Sequence, residues 1–137
     1  MALPTRITLE VVTPEGLLLR EDVDEVIAPG SEGYFGVRPG HTPFLVTLGV
    51  GEIAFRQGAQ WSHLSCFWGF CEVLPDKVSI LAEVGERAED IDVARAEAAR
   101  AQAQERMKAL HEEAGFEEAH QAYIRAVTRL AVARRQR

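Results

Sequence analysis

Between Val26 and Pro43 the chain reads V-I-A-P-G-S-E-G-Y-F-G-V-R-P-G-H-T-P, with four glycines and three prolines in eighteen residues. Glycine supplies the positive-φ positions of tight turns and proline fixes φ within them. The stretch therefore predicts two sharp reversals close together. An apolar strand end (Val26, Ile27, Ala28) breaks at Pro29-Gly30, and the tight loop Ser31-Glu32-Gly33 follows. A short strand (Tyr34, Phe35, Val37) then breaks at Pro39-Gly40. Backbone so constrained presents something, and the candidates are the acidic tip at Glu32 and His41 just beyond the second turn. The spacing of Gly30, Gly33 and Gly36 could suggest a phosphate cradle. Such a loop needs a helix N-terminus behind it and usually a lysine, and the segment offers neither.

The rest of the front half is punctuated in the same way. Arg6 to Thr13 alternates, with Ile7, Leu9 and Val11 on one side, as a half-buried strand does. Pro14-Glu15-Gly16 turns it into Leu17-Leu18-Leu19, and Val23 to Ala28 forms a further strand. Thr42 to Val50 and Gly51 to Arg56 read as two strands split by Gly49 and Gly51. Gln57-Gly58-Ala59 makes a hairpin into Gln60 to Phe67, and Gly69 to Leu74 turns at Pro75-Asp76 into Lys77 to Glu83. Many short strands with turn signals between them indicate an antiparallel sandwich or barrel. Trp61, Phe67, Trp68 and Phe70 are expected to fill its interior, the alternative being Trp68 exposed at a partner interface. Cys66 and Cys71, an odd number of residues apart, are expected on opposite strand faces, which argues against a disulfide. With His63 they make too weak a set for a metal site, and none is expected.

After Val84-Gly85 the composition shifts. From Ile91 to Glu112 there is no Gly or Pro, and Ala, Glu, Arg and Gln dominate. Asp92 can cap a helix start, and Ala96, Ala99, Ala103, Met107 and Leu110 form a stripe at helical spacing. Glu113-Ala114-Gly115 breaks that helix. A second runs from Phe116 to Arg134, with Phe116, Ala119, Tyr123, Val127 and Leu130 on one face. So short a link makes the two helices antiparallel. The predicted architecture is α+β: an N-terminal antiparallel β-sandwich, residues 1–86, then a C-terminal antiparallel helical hairpin, residues 87–137. An alanine seam buries little area, so the hairpin should dock on something or move.

Charge follows the same division. Residues 1–86 carry 5 basic and 12 acidic side chains, and residues 87–137 carry 10 and 9. An acidic body does not suit nucleic acid, and none is expected as a partner. The last thirteen residues hold five arginines and no acid, an end that suits an acidic partner. No apolar run approaches a membrane span, so no membrane insertion is expected. The N-terminus, M-A-L-P-T-R, does not read as a signal peptide, and a cytosolic compartment fits.

The pattern apolar-P-G-S-E-G-x-x-G-V-x-P-G-H-T-P-x-L resembles the signature of the epsilon subunit of rotary ATP synthases, called delta in mitochondria. Three further segments resemble the same family in the same order: Glu72 to Glu83, Ile91 to Ala96 (I-D-V-A-R-A), and Arg125-Ala126-x-x-Arg129-Leu130. Trp68-Gly69 departs from it where many members have Gly-Gly.

The resemblance implies a non-catalytic rotor subunit bound to the gamma subunit and resting on the ring of c subunits, peripheral on the cytoplasmic face of the inner membrane. Ser31, Glu32 and Gly33 would face the c ring, and His41 would lie near gamma. The extended hairpin would reach the alpha/beta catalytic head and present Arg125, Arg129, Arg134 and Arg135 as an inhibitory basic end. No cofactor is implied beyond ATP as a weak regulatory ligand. Its residues on the folded hairpin would be Glu86, Ile91, Asp92, Arg95, Ala96, Arg125 and Arg129, with Gln102 where a further arginine is expected. Two rivals from other classes are a small hydrolase using Glu32 and His41, and a stand-alone binding module that ignores gamma.

Overall fold

A computed structural model describes residues 3–111 and 113–135. The chain divides into two compact units, Met1–Glu86 and Arg87–Arg137.

The first unit is built from seven strands: β1 (Ile7–Thr13), β2 (Gly16–Val23), β3 (Glu25–Gly30), β4 (Gly33–Val37), β5 (Phe44–Gln57), β6 (Gln60–Leu74) and β7 (Lys77–Arg87). They form one sheet in the order β2-β1-β7-β6-β5-β3-β4, and all seven contribute side chains to a single core. Ile7, Leu9, Val11, Val23, Val26, Val37, Ile53, Val73, Val78 and Ile80 are fully buried there. Each such side chain contributes roughly 1.5–3 kcal/mol by leaving water. The sheet is mixed rather than purely antiparallel, because β1 pairs with β7 in parallel from Thr8–Lys77 to Val12–Leu81. These two strands come from opposite ends of the unit, so no hairpin turn dictates their relative direction.

Two strands differ from their predicted form. β5 is continuous through Gly49 and Gly51, and Gly51 serves close approach rather than chain reversal. A Cβ on Gly51 would lie 2.7 Å from Pro29 Cβ, whereas one on Gly49 would make an ordinary contact, 3.7 Å from Ser31 Cα. β6 is also continuous, but Trp68 (φ 64°) and Gly69 (φ 142°) interrupt its alternation. A Cβ on Gly69 would run into the Leu81 carbonyl oxygen and lie 2.9 Å from Ala82 Cα, so this position admits only glycine.

The interruption shifts the facing of β6 by one residue. Leu64 and Cys66 face the core before it, Cys71 and Val73 after it. The two cysteines therefore share the core face, contrary to the opposite faces that unbroken alternation implies. Neither forms a disulfide. Phe67 is buried as expected, whereas Trp61, Trp68 and Phe70 are 37%, 41% and 53% exposed and do not fill the interior.

The second unit begins with a short 3-10 turn, Ala88–Asp90, and holds α1 (Val93–Leu110) and α2 (Phe116–Arg134). Asp92 caps α1, its carboxylate accepting from the Arg95 N–H at 3.0 Å. Ile91 lies before the cap rather than in the helix, and clusters with Ala88, Val132 and Ala133. Gly115, at φ 93°, starts α2. Only Ala96 and Ala103 of α1 are buried, and Ala119, Ala126 and Leu130 are buried on α2. Val127, expected on the buried face, is 39% exposed, and Ala126 takes that place. A smaller side chain on the inner face lets the helix backbones approach.

Candidate functional site

The Ser31–Glu32 turn is the tip of the hairpin between β3 and β4, closed by the Gly30–Gly33 pair. Gly33 takes φ 136°, and a Cβ on Gly30 would lie 2.7 Å from its carbonyl oxygen. The tip is tied to β5 twice. Ser31 N–H donates to the Thr47 carbonyl at 2.9 Å, and the Ser31 and Thr47 hydroxyls lie 2.6 Å apart. Ser31, Glu32 and Gly33 are all exposed, so the structure presents an acid on a braced turn. Gly30, Gly33 and Gly36 lie within this hairpin, with no helix N-terminus behind them. The phosphate-cradle alternative is thereby removed.

Tyr34 adds a brace that sequence reasoning missed. Its hydroxyl accepts the Glu52 N–H at 3.0 Å. Gly51 makes room for the phenol, whose Cζ would lie 3.1 Å from a Cβ there. The signal the sequence offers is Gly51 within an apolar strand pattern, which marks close backbone approach as well as a break.

His41 follows a turn in which its N–H donates to the Arg38 carbonyl at 3.2 Å. Gly40 in that turn takes φ 84°. The imidazole Nδ1 lies 2.7 Å from the Thr42 carbonyl, which makes it the donor, and the ring lies 5.2 Å from that of Phe44. Phe44 in turn meets Phe35 edge-on at 5.4 Å. The ring is thus an aromatic packing element with a local hydrogen bond, whereas Glu32 sits at the tip of the β3–β4 hairpin. That arrangement gives a Glu32–His41 hydrolase no shared site.

On the outer face, Val12 pairs with Leu17 on one side and Leu81 on the other. Val12, Leu81 and Phe70 line one shallow apolar depression with Pro14. Leu17, Leu81 and Phe70 are each more than half exposed. The outward placing of Leu81 was legible in the alternation of Val78, Ile80 and Ala82, whereas that of Phe70 depends on the shift at Trp68.

Glu86 belongs to the first unit, where its carboxylate accepts from the fully buried Ser65 hydroxyl at 2.9 Å. Ile91, Asp92, Arg95, Ala96, Arg125 and Arg129 belong to the second. Ile91 and Ala96 are buried, Asp92 is engaged as a helix cap, and Arg95 is exposed. Gln102 is also exposed on α1, two turns beyond Arg95. Arg125 and Arg129 are half-buried one turn apart on α2, and Arg134 and Arg135 are exposed at its end. Arg137 lies outside the described residues. Burial pushes the Cys66 and Cys71 thiols up to about 12, with Cys66 and Glu72 adding to the shift at Cys71. Among the described residues no group of three or more His, Cys, Asp or Glu is placed to hold a metal ion. No helix among them is long and apolar enough to cross a membrane.

Comparison with known proteins decides the family. The description "ATP synthase, Delta/Epsilon chain, beta-sandwich domain" matches residues 6–88, and "long alpha-helix domain" of the same chain matches residues 89–134. The chain belongs to the ATP synthase delta/epsilon family. An ATP synthase epsilon chain of Syntrophobacter fumaroxidans is 49% identical over 128 residues, spanning 93% of this chain and 96% of that one. A chain of the Euglena gracilis mitochondrial ATP synthase superposes with a TM-score of 0.76 at 21% identity, covering 99% of this chain and 84% of its own. A second, from the central stalk and c ring of the Tetrahymena thermophila mitochondrial enzyme, gives 0.53 at 14% identity over 65% and 72%. At those identities the two structures speak to the fold. As a delta/epsilon family member the chain is a non-catalytic part of an ATP synthase.

Proposed function

We propose that this chain is the central-stalk epsilon subunit of a proton-translocating ATP synthase, carried by the gamma subunit and the c ring. The observation that carries the proposal is the pair of family matches, which cover the sandwich and then the hairpin in family order. Turning with the rotor requires stiff contacts rather than reacting groups, and a sandwich with a braced tip supplies them. On this reading Ser31, Glu32 and Gly33 meet the c-ring loops and His41 lies toward gamma. On the same reading the chain is a peripheral subunit at the cytoplasmic face of the inner membrane.

The hairpin is the regulatory part of the proposal. Extended toward the alpha/beta head, it presents Arg125, Arg129, Arg134 and Arg135 to acidic segments and resists rotation in the hydrolysis direction. The same arginines near the C-terminal end of α2 also stabilise the helix, by ~0.3–1 kcal/mol for each well-placed charge. ATP binds weakly or not at all, because Gln102 stands where an arginine would reach phosphate. A lost charge-assisted hydrogen bond costs about 1.5–3 kcal/mol, roughly ten- to a hundredfold in affinity.

Co-expression with a gamma subunit tests the assignment. The expected result is a stable complex that co-elutes on size exclusion. A monomer that ignores gamma would favour the stand-alone binding module.

A further inference from the structure

We propose that Tyr34 is a positioning residue that locks the Ser31–Glu32 tip to β5, and that its hydroxyl sets how rigidly the tip is presented. The function of that rigidity rests on the reading of the tip as a c-ring contact.

The argument starts at the sheet edge. β4 ends the strand order, so only β3 pairs with it in the sheet. A hairpin at an edge is ordinarily the part of a sheet most free to lift away. Here β3 is itself imperfectly held. Its ladder to β5 runs from Glu25–Arg56 to Ile27–Ala54, then resumes only at Gly30–Leu48. Three more residues are passed on β5 than on β3 across that gap, so the ladder does not pin Ala28 and Pro29 directly. Pro29 cannot donate to a ladder in any case.

Tyr34 spans this gap. It pairs with Pro29, so both side chains lie on one face of the sheet. From there the phenol crosses over β3 to β5, where its oxygen accepts the Glu52 N–H at 3.0 Å. The room for it comes from Gly51, where a Cβ would collide with the hydroxyl and would lie 2.7 Å from Pro29 Cβ. Beyond the gap, Ser31 makes its two contacts to Thr47. The tip is therefore held to β5 at Thr47 and at Glu52, on either side of Gly49 and Gly51. A tyrosine 59% exposed gains little from burial, so its placement is accounted for by the bond it makes.

Hydrogen–deuterium exchange on the full-length chain tests the brace. Tyr34→Phe retains the ring over Pro29 and removes only the bond. The Glu52 and Ser31 amides should exchange about five- to tenfold faster, as expected for one lost hydrogen bond, with the β1 and β7 amides unchanged. Gly51→Ala, which places a methyl where the phenol lies, should reproduce that local effect. Unchanged Glu52 and Ser31 exchange in Tyr34→Phe overturns the proposal.

The assembled enzyme in membrane vesicles tests its use. Tyr34→Phe should lower proton pumping per ATP hydrolysed in the same direction as Glu32→Lys, and by less. If Glu32→Lys lowers coupling and Tyr34→Phe does not, despite faster exchange, the positioning role is overturned. Unchanged coupling in Glu32→Lys overturns the c-ring reading of the tip, while the exchange result still decides whether the brace exists.

Discussion

The sandwich and the hairpin are each stabilised internally by a different kind of side chain. The sandwich buries Ile, Val and Leu from all seven strands. The seam between α1 and α2 is mostly alanine: Ala96, Ala103, Ala119 and Ala126, with Leu130 as its large member. At ~25 cal/mol per Å2 of apolar area, a buried alanine contributes much less than a buried leucine or isoleucine. The sandwich therefore has the means to stand alone, and the hairpin has a weak hold on any one arrangement. Charge sharpens the contrast, since the first 86 residues carry a balance of −7 and the remaining 51 a balance of +1. One part is suited to be a fixed mount, and the other to change what it touches.

The most damaging single change is expected in the mount. Gly69→Ala combines a φ of 142° with a Cβ inside the Leu81 carbonyl. It should cost about 3–5 kcal/mol and be visible as a large drop in the denaturant midpoint. If the variant keeps its midpoint, β6 does not need glycine where it crosses β7.

A smaller effect, confined to the other part, should follow overpacking of the seam. Ala103, 3% exposed, has no room for a larger side chain if the helices are close. Ala103→Leu should destabilise the hairpin by about 1–3 kcal/mol and leave sandwich amide exchange unchanged. Global loss of protection would show that the two units are not energetically separate.

The hairpin's basic end gives a functional contrast. Replacing Arg125, Arg129, Arg134 and Arg135 by Gln should raise ATP hydrolysis by the assembled enzyme at low salt, and the gain should shrink as salt rises. Gamma binding by the sandwich should not change. Equal hydrolysis by mutant and parent at low salt would remove the arginines from the inhibitory role.

The smallest effect concerns the core thiols. Their folded pKa is raised to about 12, above the ordinary value of roughly 8.5. The unfolded chain therefore loses these protons first, so their contribution to stability is whole below that ordinary value. It falls as pH rises from there toward the folded pKa. A thiol reagent should label Cys66 and Cys71 only after unfolding, and Cys66→Ser/Cys71→Ser should flatten the alkaline fall in stability. Rapid labelling of the native protein would show that the core is open there.

Both halves of the architecture were legible in the chain because each has a clear period. Ile7, Leu9 and Val11 alternate at two, and the alanines of α1 recur at helical spacing. What was not legible depended on atoms far apart in sequence. Gly49 and Gly51 read as strand breaks, yet β5 runs through both and Gly51 accommodates Pro29 and Tyr34 from the neighbouring hairpin. The left-handed Trp68 carried no residue-type signal, so the facing of Phe70 and Cys71 came out inverted. The Ser31–Glu32 tip was readable from Pro29, Gly30 and Gly33, because a turn is a local property. Its tether at Thr47 and brace at Tyr34 were not, because they cross between strands.

A chain ending after Ala88 tests the separation of mount and hairpin most directly. Circular dichroism, thermal melting and co-elution with gamma should be measured on it beside the full-length protein. The expected result is a β-rich spectrum, a cooperative melt and undiminished gamma binding. An unfolded product, or a folded one that no longer binds gamma, would contradict the account.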